Sequence, residues 1–260
     1  MMNRRAFSWA GVAAGLAAAT AARVAIGAAP RARNVVLVHG AYADGSCWTD
    51  VIPRLFAAGL NPTAVQNPLS SLAEDCAYTR RALDLQDGPT VLVAHSYGGE
   101  VITEVGTHPK VSALVYIAAR APDADEDYTA LAKTYPAPPA STGLVHAGGY
   151  ARLSRAAFMN DFANGVDPAR AEVLYAVQAP ISDTLFAARV TQAAWRSKPS
   201  FYAVSRQDRT INPDLERFMA KRMNADTVEI DAGHLSLVSH PEAVAALIIR
   251  ASGMQGGPGG

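Results

Sequence analysis

A chain of 260 residues, half of them hydrophobic, is long enough for one large domain with an ample core. Its 23 basic and 23 acidic side chains cancel and form no basic cluster, so charge gives no argument for nucleic acid or an anionic membrane as partner. The two cysteines, Cys47 and Cys76, lack metal or redox spacing and the other candidate ligands are scattered, so no metal or organic cofactor is implied.

Residues 1–29 read as a targeting segment. Asn3-Arg4-Arg5 precedes an alanine-rich apolar run from Ala10 to Ala22, and small residues follow at Gly27-Ala28-Ala29. The arginine pair resembles a bacterial twin-arginine export signal, which predicts export to the periplasm or beyond; an ordinary secretory signal or an uncleaved amphipathic helix is the competing reading. The run is short of the roughly 20 residues needed to span hydrocarbon and Arg23 interrupts its end, so no stable membrane anchor is expected. Residues 30–252 then form the folded domain, and the glycine-rich tail, 253–260, is expected to be disordered.

Asn34 to Val38 is a continuous apolar run of the kind found in buried parallel strands, and it breaks at His39-Gly40-Ala41-Tyr42. Helical spacing follows from Trp48 to Ala58, a weaker strand from Leu60 to Val65, and a helix from Ser70 or Ser71 to about Gln86, opened by a capping box with Glu74. After the turn Asp87-Gly88-Pro89, Val91-Leu92-Val93 ends abruptly in Ala94-His95-Ser96-Tyr97-Gly98-Gly99, and a helix runs on to about Thr107. This is strand, sharp turn, helix. A serine at such a turn is thrust out at the carboxyl end of its strand, and the small residues Ala94 and Gly98 let strand and helix approach closely.

Val111 to Ile117 predicts a fourth strand. The rhythm then fails from about 121 to 197, where helical pieces alternate with proline and diglycine breaks and no clear strand is visible. So long an insertion reads as a helical cap over a site. Its aromatic side chains, among them Tyr135, Phe158, Phe162 and Trp195, are candidates to line a pocket for short to medium apolar or aromatic groups. Strands resume at Ser200–Val204 and Thr227–Ile230, with helices from Pro213 to Met223 and Pro241 to Arg250. The expected fold is therefore α/β: a mostly parallel sheet of about six strands with helices on both faces, its site at the carboxyl ends of the strands.

All the chemically suggestive residues fall at those ends. Ser96 follows the third strand, Asp208 the strand ending at Val204, and His234 the strand ending at Ile230. A serine hydroxyl is a poor nucleophile until a base takes its proton; imidazole suits that task, and a carboxylate on its far nitrogen fixes the tautomer. Asp231, three residues before His234, is the rival carboxylate. His39 reads as a residue that shapes its loop, and His95 as one that packs towards the core.

Four segments carry a family resemblance: Val36 to Trp48 (VLVHGAYADGSCW), Val91 to Gly99 (VLVAHSYGG), Ser205 to Leu215 (SRQDRTINPDL) and Ala232 to Glu242 (AGHLSLVSHPE). Through them residues 33 to 250 resemble single-domain α/β-hydrolases, and more narrowly the small esterases related to plant methylesterases and hydroxynitrile lyases. The resemblance implies the α/β-hydrolase fold, with Ser96 as nucleophile, His234 as base and acid, and Asp208 as its orienting carboxylate. Ala94 stands where the general pattern has glycine. The oxyanion hole implied is built from backbone N–H groups, those of Tyr97 and Ala41. The activity implied is hydrolysis of a small-molecule carboxylic ester through an acyl-enzyme. Two alternatives use the same fold: a lyase of the hydroxynitrile type and a ligand-binding protein without catalysis. The plant lyases place a lysine directly after the catalytic histidine; here that residue is Leu235.

Overall fold

The computed structural model describes residues 31–254, so the export-signal reading of 1–29 and the last six residues of the tail lie outside the described residues. β1 (Asn34–Val38) is buried along its whole length, as its apolar run predicts. A short 3-10 turn, Gly45–Trp48, is capped by Asp44, whose carboxylate accepts from the Ser46 N–H at 2.9 Å; α1 (Ile52–Ala57) comes after it. One helix from Trp48 to Ala58 is thus corrected to two pieces. Pro53, which has no N–H to donate, opens the second. β2 (Asn61–Ala64) precedes α2 (Leu72–Asp84), whose first turn is capped by Ser71 Oγ accepting from the Glu74 N–H at 3.2 Å. β3 (Thr90–His95), α3 (Gly98–Val105) and β4 (Val111–Ile117) follow.

The insertion holds α4 (Tyr128–Ala132), β5 (Leu144–Ala147), β6 (Tyr150–Leu153), α5 (Arg155–Ala157) running into a π-helical turn at Phe158–Phe162, α6 (Pro168–Ala176) and β7 (Ile181–Ser182). A purely helical cap without strands is therefore wrong: β5, β6 and β7 form an antiparallel sheet of three strands. Gly148 and Gly149, with φ of 60° and 82°, are the two-residue turn that joins β5 to β6. Only residues tolerant of positive φ make such a turn, whose twist matches that of the strands. The alternation of β6, with Ala151 and Leu153 buried and Tyr150 and Arg152 exposed, was the second sign of a hairpin.

The chain closes with β8 (Ser200–Ser205), α7 (Pro213–Arg222), β9 (Asp226–Ile230), a single turn α8 (Ser236–Ser239) and α9 (Pro241–Ala251). The main sheet has the order β2-β1-β3-β4-β8-β9 and is parallel throughout. Its central strands bury every aliphatic side chain, each worth about 1.5–3 kcal/mol when fully removed from water. Register positions the site. Val38 pairs with Ala94, His95 with Ile117, Ile117 with Ala203 and Ser205 with Ile230, so the loops leaving β1, β3, β4, β8 and β9 emerge together at one edge of the sheet. No described helix is long and apolar enough to cross a membrane.

Candidate active site

Ser96 has φ of 55°, the left-handed region that costs a non-glycine residue on the order of 1–2 kcal/mol. The surroundings hold it there. Its N–H donates to the Ile117 carbonyl at 3.2 Å, and its own carbonyl accepts from Gly99 and Arg120 N–H groups, each at 3.0 Å. Tight quarters explain the glycines: a Cβ on Gly99 would lie 2.0 Å from the Arg120 carbonyl oxygen, one on Gly98 2.7 Å from that of His39, and one on Gly40 2.6 Å from Ser96 Cβ.

Three loops then bring their polar side chains together. His234 Nε2 lies 2.9 Å from Ser96 Oγ, and His234 Nδ1 lies 2.6 Å from Asp208 Oδ2. The other oxygen of Asp208 accepts from the N–H groups of Thr210 (2.6 Å) and Ile211 (2.8 Å), which fixes the carboxylate plane. Asp231 is elsewhere, exposed and accepting from Gln207 Nε2 at 2.9 Å. His234 and Asp208 are buried with no exposed side-chain surface, whereas Ser96 reaches a cavity.

His234 is also braced from behind. His95 Nε2–H donates to the His234 carbonyl at 3.0 Å, its ring 4.6 Å from that of His234, and burial holds His95 well below the usual imidazole range, in the neutral form. His39 donates from Nδ1 to the Gly40 carbonyl and accepts the Asn67 N–H on Nε2, both at 2.9 Å, so it ties the β1 loop down as one tautomer. The remaining histidines bond locally: His108 to Asp84, His146 to Asp183 and His240 to Ser239.

Among the described residues, the N–H groups of Tyr97 and Ala41 have no protein acceptor, as a pair of oxyanion donors requires. Tyr97 is anchored from its other end, where its hydroxyl donates to Asp75 at 2.9 Å. Ala41 borders the same cavity as Ser96.

That cavity has a volume of about 300 Å³, is mostly apolar, and is lined by Ala41, Tyr42 and Ser96, by Leu144, Leu153, Ile211 and Leu215, and by Arg120 packed on Tyr128 and Phe186. The four aromatics expected in a pocket are absent from it. Tyr135 packs on Phe218, and Trp195 donates its indole N–H to the Pro122 carbonyl. The rings of Phe158 and Phe162 pack tilted against one another with centroids 4.9 Å apart, Phe162 lies against His234 at 5.1 Å, and both border a small second cavity that Tyr42 also lines. Sequence reasoning passed over Tyr42, Tyr128 and Arg120 as lining residues; a tyrosine directly after the His-Gly-Ala turn was the one available sign.

Cys47 and Cys76 are both buried free thiols; burial pushes Cys76 up to about 12. No group of three or more His, Cys, Asp or Glu side chains among the described residues is arranged to hold a metal ion.

A parallel sheet wrapped by helices, with a strained serine after its third strand in the chain and an aspartate and a histidine after the last two, defines the α/β proteins built around a nucleophile elbow. The chain belongs to the alpha/beta hydrolase family, whose pattern matches residues 35–247. Among known proteins it is 37% identical over 114 residues to a carbendazim-hydrolyzing esterase of Nocardioides sp. (strain SG-4G), a match covering 38% of this chain and 46% of that one. It is 26% identical over 242 residues to an alpha/beta hydrolase of Aspergillus novofumigatus, covering 84% of this chain and 96% of the other. In structure it resembles polyneuridine aldehyde esterase, with a TM-score of 0.72 at 19% identity, over 85% of this chain and 99% of that one.

Proposed function

We propose that this protein is a carboxylic ester hydrolase working through an acyl-enzyme. The observation that carries the reading is the continuous line of contacts from Asp208 through His234 to Ser96, ending at an apolar cavity. His234 takes the hydroxyl proton as Ser96 Oγ attacks the ester carbonyl carbon. The negative charge that develops on the carbonyl oxygen meets the N–H groups of Tyr97 and Ala41. As the tetrahedral species collapses, His234 returns the proton to the departing alcohol, leaving the acyl group on Ser96. Water then attacks with His234 again as base, and the acid product leaves with Ser96 reprotonated. The esterases among the similar proteins support the substrate class. Leu235, buried and apolar directly after His234, favours hydrolysis over release of cyanide, which needs a cation there.

Incubation with an active-site organophosphonate tests this reading. A single stoichiometric adduct in the intact mass, absent in Ser96→Ala, is the expected result; a folded wild-type protein that takes up no adduct overturns it. We propose in addition that residues 1–29 are a cleaved export signal ahead of one hydrolase domain with its cap at about 121–197. Retention in the cytoplasm on replacing Arg4 and Arg5 with lysine is the expected outcome for twin-arginine export.

A further inference from the structure

Arg120 is the charged exception in an otherwise mostly apolar cavity wall. Its backbone is part of the elbow, donating to the Ser96 carbonyl at 3.0 Å, so its side chain starts beside the reacting centre. Three contacts hold the guanidinium. Nη1 donates to Glu100 Oε1 at 2.9 Å, and the group lies over the ring of Phe186 at 3.9 Å and of Tyr128 at 4.6 Å. Among the described residues it has no second protein acceptor, and the side chain is 15% exposed where it lines the cavity, so its remaining N–H groups are free to meet solvent or a molecule bound there. A guanidinium fork with unused donors, already ordered, binds an oxygen acceptor at little further entropic cost.

Charge decides which acceptor. Glu100 is almost fully buried and already supplies the negative partner, so the pair is neutral as a unit. A substrate carboxylate would bring a second negative charge close to Glu100 in a poorly solvated place, whereas a carbonyl or ether oxygen accepts the hydrogen bond without repulsion.

We infer that Arg120 recognises a second, neutral oxygen acceptor on the substrate, so that this enzyme is built for oxygen-substituted esters such as keto or alkoxy esters rather than plain hydrocarbon ones. The inference rests on the ester-hydrolase reading above. It departs from the expectation, drawn from the sequence, of a pocket for short to medium apolar or aromatic groups.

Three para-nitrophenyl esters of nearly equal size separate the possibilities: the isocaproate, the levulinate, in which a keto oxygen replaces a methyl group, and the monoester of succinate, which is anionic. Replacing Arg120→Met is expected to lower kcat/KM for the levulinate on the order of tenfold or more relative to the isocaproate, a ratio in which intrinsic reactivity cancels. Replacing Glu100→Gln releases the charge of Arg120 and is expected to raise the succinate relative to the levulinate. Should Arg120→Met fold poorly because it strands Glu100, the double variant Arg120→Met/Glu100→Gln takes its place in the first comparison. A purely structural role for Arg120 lowers all three esters alike, and that result overturns the inference. So does a wild-type preference for the succinate. Absence of hydrolysis of any ester, with no phosphonate adduct on Ser96, overturns the hydrolase reading and this inference together.

Discussion

Glu216 is buried beside Asp208, and both side chains are shut away from solvent. Two carboxylates cannot share so dry a place in ionised form. Asp208 has three donors aimed at it, from Thr210, Ile211 and His234, whereas Glu216 receives only the Ser205 N–H at 3.1 Å. Burial and the neighbouring Asp208 both hold Glu216 well above the usual carboxylate range, so Glu216 is the neutral acid of the pair. Its second oxygen, Oε1, has no hydrogen-bond partner among the described residues.

An amide can replace a neutral acid here. Glu216→Gln still offers an acceptor to Ser205 and a donor to Asp208, and it is expected to keep kcat/KM within about threefold of wild type and the melting temperature nearly unchanged. Glu216→Leu leaves the Ser205 N–H unpaired and is expected to cost about 1–3 kcal/mol of stability. A large loss of activity in Glu216→Gln with the fold intact would instead mean that the position must be charged.

The two candidate carboxylates for His234 are separable by the same kind of substitution. Asp208→Asn is expected to lower kcat by about three to four orders of magnitude, by presenting an amide donor where the Nδ1–H of His234 needs an acceptor. Asp231→Asn is expected to leave ester turnover within about twofold, since that side chain is exposed and bonded to Gln207. Steady-state kinetics on one activated ester checks both.

Ser96, Asp208 and His234 were legible in the sequence because each follows an apolar run that a parallel sheet must bury, and such a sheet delivers its loops to one edge. Nothing comparable marks the cavity wall. Trp195 and Tyr135 are as aromatic as Tyr128 and Phe186, but which of them faces the cavity depends on how the β5–β6 hairpin and the π-helical turn pack on the main sheet. No local period encodes that packing. Arg120 was hidden for a different reason: it sits in the elbow's backbone network, two residues before a proline, where loop chemistry alone would account for it.

The hairpin turn offers a test of the cap. Gly148 and Gly149 both have positive φ, and a Cβ at either position would meet no atom within 4 Å, so the cost of substitution there is backbone strain alone. Gly148→Asn is expected to be nearly neutral, since asparagine accepts this conformation, whereas Gly149→Val is expected to destabilise by about 1–2 kcal/mol. Urea midpoints compared with wild type measure both. Equal effects from the two substitutions would mean that the diglycine is not held in the turn.

Asp75 links Tyr97, the residue directly after Ser96, to the pH dependence of stability. It accepts the Tyr97 hydroxyl and the Leu69 N–H, each at 2.9 Å, and burial nevertheless pushes its carboxyl up to about 6. The folded protein therefore takes up a proton as pH falls through about 6, while the unfolded chain waits until about 3.9. Between those values the folded state binds more protons, so this residue's contribution to stability is complete below the unfolded value and is lost as pH rises through the folded one. Asp75→Asn cannot titrate. The stability of wild type minus that of Asp75→Asn is expected to fall by on the order of 2 kcal/mol between about pH 4 and pH 7, followed by denaturant unfolding at a series of pH values. A difference that stays constant over that interval would show that Asp75 titrates in the folded protein as it does in the open chain.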